Sequence, residues 1–186
     1  MDNIGHKLYS IIEDIGREKI QTDITLNVGI SAQYIDMILE RCKKVVKLTK
    51  EEEVGSLCEA LLHFMLTTRT LPSARKVRIS KVNLDIVIPS LHILRNMPEK
   101  AIIIQVVKNS QGITEELQKD ISTIQSNVNN VWTVTKEPAS GDYVNYTIGS
   151  GSNKINSFQR RNFQDIIVDI EAFLQKTNDR SFRFFH

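Results

Sequence analysis

The stretch from Gly55 to Lys108 constrains the fold more than any other part of the chain. A helix-like segment carrying Gly55-x-x-x-Glu59 comes first. A basic, strand-like segment follows, Arg75-Lys-Val-Arg-Ile-Ser80. Next is an apolar strand with one acid, Asn83-Leu-Asp85-Ile-Val-Ile88. An isoleucine-rich strand that ends in a cation, Ala101-Ile-Ile-Ile-Gln-Val-Val-Lys108, closes the run. A buried strand rarely carries a charge without a partner or a purpose. Two neighbouring strands here carry one each, so Asp85 and Lys108 are the first candidates for a site.

The rest of the pattern frames that run. Ile4, Leu8, Ile11, Ile12 and Ile15 repeat at helical spacing, which predicts a helix over 3–19. Thr22-Asp23 can cap a short second helix through Asn27. Gly29 supplies a turn, and Ser31 is a good N-cap for a third helix over 32–44. Val45–Leu48 reads as a short strand. Glu51-Glu-Glu suits a helix start, and Val54, Leu57, Cys58, Leu61, Leu62 and Met65 form one stripe behind it. Strands are expected near 75–80, 82–89 and 101–108. A helix follows from Gly112 or Thr114 to about Ser126, then strands over Val128–Thr135 and Tyr143–Ile148. Ser140-Gly-Asp is turn chemistry and Gly149-Ser-Gly-Ser-Asn a loop. Phe158–Lys176 reads as a final helix. Asp179–His186 is a basic and aromatic tail whose phenylalanines are expected to dock on protein.

Composition narrows the class. A chain of 186 residues with 41% hydrophobic and 25% charged side chains fits a globular protein. No run approaches the ~18 consecutive apolar residues of a membrane helix, so no membrane role is expected. Residues 1–20 carry acids and do not read as a secretion signal. Cys42 and Cys58 lack metal or redox spacing and read as buried thiols of a reducing, cytoplasmic compartment. The four histidines lack zinc spacing. A net charge of +2 is too mild to identify a nucleic-acid binder. Distribution says more: Arg69, Arg75, Lys76, Arg78 and Lys81 follow one another with no acid between them. That run suits a phosphate backbone, and equally a solvated edge strand.

The order helix, strand, strand, strand, helix, strand over residues 52–136 resembles the restriction-endonuclease-like nucleases. This is the PD-(D/E)xK superfamily, of which archaeal Holliday-junction resolvases are a small example. The resemblance implies an α/β fold with a mixed sheet of four to five strands flanked by helices. It assigns Glu59 to the helix acid, Asp85 to the strand acid and Lys108 to the lysine. Arg75, Lys76 and Arg78, with Lys81 beyond them, lie where resolvases meet DNA. Asp85 and Glu59 would hold Mg²⁺ (or Mn²⁺), which polarises the phosphate and lowers the pKa of bound water. Lys108 would position that water and offset developing charge. The chain departs from the pattern two residues before Lys108, where Val106 stands instead of an acid. Gln105 is the candidate substitute, through a β-bulge.

Residues 24–39 also resemble a helix-turn-helix, winged or not, whose third helix would present Ser31, Gln33 and Tyr34 to base edges. Asp36 and Glu40 on the same helix oppose DNA. The expected organisation is therefore a helical module over 1–50, a nuclease-like domain over 51–178 and a tail over 179–186. The expected function is DNA binding by a nuclease-like protein, with Mg²⁺-dependent cleavage at a degraded or variant site. Two other readings stay open: a non-catalytic assembly subunit, with a homodimer as one form, and a helix-turn-helix transcription regulator.

Overall fold

The computed structural model describes residues 4–45, 50–109, 112–138, 142–148 and 160–182. Its helices are α1 (Ile4–Ile15), α2 (Arg17–Leu26), α3 (Ser31–Val45), α4 (Glu51–Thr68), α5 (Leu91–Asn96), α6 (Glu115–Ile124) and α7 (Ile166–Phe182). Its strands are β1 (Ala74–Ile79), β2 (Val82–Ile88), β3 (Ile102–Val106), β4 (Val131–Thr135), β5 (Val144–Thr147) and β6 (Arg160–Asn162). They form one mixed sheet in the order β1-β2-β3-β4-β5-β6. β1, β2 and β3 pair antiparallel, and β3 to β6 pair parallel. Among the described residues no helix is long and apolar enough to cross a membrane.

Among the described residues the sheet has six strands rather than four to five, because β6 lies inside the segment expected to open the last helix. All three residues of β6 are exposed, so the strand has no apolar signature to read. α5 was not expected either. Its first turn is closed by Ser90, whose hydroxyl accepts from the Ile93 N–H at 3.3 Å. The helix expected over 3–19 breaks at Gly16, which takes φ 101° and lets α2 leave in a new direction. Thr22 and Asp23 therefore sit inside α2 rather than capping it. Ser31 is the first helical residue of α3, with φ −55°. Asn27 does the local capping instead, accepting from the Gly29 N–H at 2.9 Å. Of the strand expected at 45–48, Val45 ends α3 and the rest lies outside the described residues. Residues 139–141, 149–159 and 183–186 of the expected turn, loop and tail also lie outside them. The backbone of 179–182 continues α7.

Each face of the sheet carries its own core. One contains Ile86, Ile104, Trp132, Val134 and Tyr146 from the strands, with Leu57 and Leu61 of α4 and Ile167 and Ile170 of α7. Leu8 and Ile12 of α1, Ile20 and Ile24 of α2 and Ile35 and Ile38 of α3 belong to this same cluster. Among the described residues the module expected over 1–50 thus has no separate core; its helices cover α4 and α7. Each such side chain, fully buried, contributes about 1.5–3 kcal/mol. The other face packs Leu84, Val87, Ile103 and Val131 against Leu94 of α5 and Ile121 of α6. β2 changes sides at Asp85. Val82 and Leu84 belong to the α6 face, and Ile86 and Ile88 to the α4 face. A regular strand alternates without such a break, so the one acid of β2 stands where the strand twists.

A candidate nucleic-acid site around an acid and lysine cluster

α4 brings Glu59 to the edge of the core, where it is 6% exposed. Gly55, one turn earlier, explains the Gly-x-x-x-Glu spacing. A Cβ on Gly55 would lie 2.8 Å from Lys108 Cγ and 3.2 Å from the Val107 carbonyl oxygen. Only glycine lets the end of β3 come this close to the helix. That approach delivers Lys108, whose Nζ donates to Glu59 Oε2 at 2.7 Å.

β1 approaches Glu59 from the other side. Consecutive strand residues normally point to opposite faces, yet Arg75 and Lys76 both reach Glu59. Arg75 Nη2 lies 3.4 Å from Glu59 Oε1, and Lys76 Nζ lies 2.8 Å from it. The departure is local to Lys76, which takes the left-handed φ of +49°. The same Nζ donates to Asp85 Oδ1 at 2.7 Å. One ammonium therefore sits between the helix acid and the strand acid.

The second oxygen of Asp85 has a different job. Oδ2 accepts from the Val106 N–H at 2.9 Å. Gln105 Oε1 accepts from the Asp85 N–H at 2.7 Å, and Gln105 Nε2 donates to the Asn83 carbonyl at 3.3 Å. The backbone register of β2 and β3 runs only from Ile86–Ile104 to Ile88–Ile102. These side-chain bonds continue the join where the two strands part. Gln105 is thus a splice between strands and not a stand-in for the missing acid. β3 keeps regular register with β4 from Ile103 to Val106, so no bulge turns the amide toward the carboxylates.

Burial raises the Glu59 carboxyl, but the ammoniums of Lys108 and Lys76 outweigh it and hold the group below its ordinary range. Burial pulls Lys76 down, while its bonds to Asp85 and Glu59 outweigh that and leave it raised. His63, one turn past Glu59, is lowered by burial and by the Arg75 guanidinium, and so stays neutral at pH 7. The reading of the histidines by zinc spacing passed over His63, although its i+4 spacing from Glu59 places it beside the cluster.

The donor set does not fit a divalent ion. Mg²⁺ takes hard oxygens in near-octahedral geometry. The cluster offers two carboxylates, and lysine, arginine and a backbone N–H already take up their oxygens. The Val106 side chain offers no ligand. Among the described residues no group of three or more His, Cys, Asp or Glu side chains comes together.

Arg78 and Lys81 are exposed near the tip of the β1–β2 hairpin. Arg78 Nε donates to the Ser80 carbonyl at 3.2 Å. Ser80 takes φ +54°, as the tight turn of a hairpin requires. Asp85 is the one acid between Ala74 and Ile88, so the whole ribbon is basic. The three α3 candidates separate, and Ser31 is fully buried. Gln33 is exposed, but Tyr34 is 6% exposed and its hydroxyl donates to Asp23 Oδ2 at 2.5 Å. Tyr34 is a core residue and does not present itself to a base edge. Asp36 accepts from Gln164 Nε2 at 3.1 Å, which ties α3 to the start of α7.

No family model and no curated protein matches the chain. Solved structures do. The complex of the restriction endonuclease PspGI with substrate DNA is similar over 95% of this chain and 94% of that one, at TM-score 0.61 and 14% identity. Metal-depleted Ecl18kI with uncleaved, modified DNA is similar over 96% of this chain and 80% of that one, at TM-score 0.59 and 11% identity. A second metal-depleted Ecl18kI complex, with uncleaved DNA, gives TM-score 0.55 and 10% identity over 95% and 80% of the two chains. With its mixed sheet and its helices on both faces, the chain has the restriction-endonuclease-like fold.

Proposed function

We propose that the protein binds DNA through the β1–β2 ribbon, at the place where the nuclease fold carries its active site, and that this active site is a variant one. The observation that carries the reading is the charge of the cluster. Arg75, Lys76 and Lys108 converge on Glu59 and Asp85, three cations against two carboxylates. Arg78 and Lys81 extend the same sign along the ribbon to its tip. A polyanion gains from such a surface by releasing its own counterions. The similar solved structures hold DNA, which supports the choice of polyanion.

Fluorescence anisotropy on labelled duplex, flapped and four-way-junction DNA, in EDTA and over a salt series, tests this. Affinity should fall steeply with salt, and the Arg78→Ala/Lys81→Ala double variant should flatten the log–log slope by about two. Absence of binding at low salt would sink the reading. Cleavage is the second reading, favoured by the convergence of Glu59, Asp85 and Lys108. Incubation of the same DNAs with Mg²⁺ or Mn²⁺ beside Asp85→Ala and Lys108→Ala decides it: nicking that disappears in both variants supports catalysis, and intact DNA removes it.

A further inference from the structure

An ammonium between two carboxylates does one thing that a divalent ion does and fails at another. With Arg75 and Lys108 beside it, it neutralises the acids and leaves one positive charge for a phosphate. It brings no coordinated water and makes no hydroxide at neutral pH. We propose that Lys76 is the resident cation of this site, standing in for a divalent metal, so that the ribbon holds a phosphate without Mg²⁺. The phosphate part rests on the DNA-binding reading above, while the replacement of metal rests on the cluster alone.

The position of Lys76 is built rather than incidental. Its backbone takes φ +49°, a conformation that L side chains seldom adopt and that persists only where surrounding contacts impose it. Without that turn of the chain, Lys76 and Arg75 would face opposite sides and one of them would miss Glu59. Its Nζ meets Glu59 Oε1 at 2.8 Å and Asp85 Oδ1 at 2.7 Å. The other oxygen of each acid is engaged elsewhere, Glu59 Oε2 by Lys108 and Asp85 Oδ2 by the Val106 N–H. The two oxygens that share Lys76 are therefore the pair that would share a metal. Charge agrees: three cations minus two carboxylates leaves the cluster at +1, where a divalent ion needs an excess of acid. The Lys76 side chain is 55% exposed, so the surplus charge borders solvent.

The substitution Lys76→Ala leaves Oε1 and Oδ1 facing one gap with one cation fewer, and should turn the site from metal-excluding to metal-binding. Mn²⁺ titration followed by the electron paramagnetic resonance signal of the unbound ion reads this on the full chain without DNA. The wild type should show no saturable uptake at millimolar Mn²⁺. Lys76→Ala should bind one Mn²⁺ per chain at least about tenfold more tightly, and Lys76→Ala/Asp85→Asn should lose that gain. Lys76→Arg should still exclude the ion. In the DNA assay, wild-type affinity should be the same within about twofold in EDTA and in Mn²⁺, whereas Lys76→Ala should weaken in EDTA and recover in Mn²⁺. Arg78→Ala should weaken without recovery. Stoichiometric Mn²⁺ uptake by the wild type, or uptake by a folded Lys76→Ala no greater than wild type, overturns the proposal. If Lys76→Ala does not fold, as judged by its thermal transition, Lys76→Ser replaces it, and the wild-type titration still decides the first arm. Absence of DNA binding in every chain would sink the DNA reading and leave the metal claim to the titration.

Discussion

Gly55 and Glu59 show how one helix turn sets the site. Alanine is normally worth about 1 kcal/mol over glycine inside a helix. At position 55 the added methyl meets Lys108 Cγ and the Val107 carbonyl at sub-contact distances. Overpacking costs about 1–3 kcal/mol, so Gly55→Ala should lower stability in urea unfolding by about 1 kcal/mol net. A gain in stability would mean that the end of β3 yields easily, and that the glycine is not what admits Lys108. Glu59→Gln removes a nearly buried charge and leaves Lys108, Lys76 and Arg75 short of a partner. Loss of one member of a buried pair costs about 3–5 kcal/mol. The cations here reach water, which screens them, so a loss of about 2 kcal/mol is expected. DNA affinity in EDTA should rise at the same time, because the cluster becomes more positive. A stability loss joined to a drop in affinity would instead make Glu59 a scaffold for the DNA surface.

The pH dependence belongs to the same two residues. Glu59 is held below the ordinary 4.5. Its share of stability is fully present above that value and is lost as pH falls through the lower folded value. Lys76 is raised above the ordinary 10.5, so its share is present below 10.5 and is lost as pH rises through the higher folded value. The stability difference between wild type and Glu59→Gln should therefore be flat through neutral pH and shrink in acid below 4.5. Denaturant midpoints across an acid series measure it, and a difference that grows in acid would contradict the pairing.

Among elements, α4 and α7 are joined by Arg69 and Glu171. Arg69 Nε and Nη2 each donate to a Glu171 oxygen at 2.8 Å, with both side chains mostly shielded. Planar two-point pairing of this kind is specific to arginine. Arg69→Lys should lose most of what Arg69→Ala loses, about 1.5 kcal/mol by chemical unfolding. Full retention in the lysine variant would reduce the contact to simple charge. Arg69 was read in the sequence only as the start of a basic run, since its partner lies 102 positions away. Distance along the chain also hid β6. β6 has three exposed residues and is defined only by pairing with β5, from Asn145–Arg160 to Thr147–Asn162. Strands β2 and β3, by contrast, announce themselves, because runs such as Ile102-Ile103-Ile104 suit only an interior strand.

On the scale of the whole molecule, the N-terminal helices are part of the nuclease fold's core. Leu8, Ile12, Ile35 and Ile38 are fully buried in the cluster that also holds Leu57, Leu61 and Ile104. A chain starting at residue 50 would expose the α4 face that they cover, and each buried aliphatic side chain is worth about 1.5–3 kcal/mol. That shortened chain should show no cooperative thermal transition and should bind a hydrophobic dye. A sharp transition would restore residues 1–50 as an independent module. Sequence periodicity reports which side of a helix is apolar, not which neighbour covers it, so the helical pattern of 1–45 suited a separate module and a cap alike.

Local chemistry fixed much of the outcome in advance. The order of α4, β1, β2 and β3 and the apolar faces follow from side-chain period, while the closeness of Glu59 and Lys108 was implied by the family resemblance and is admitted by Gly55. Three matters waited for tertiary structure: Lys76 lying between the two acids, Gln105 joining strands instead of facing the cluster, and Tyr34 turned inward on Asp23. Each depends on a backbone angle or on a partner brought close by packing, and neither quantity is written in the spacing of residue types along one chain.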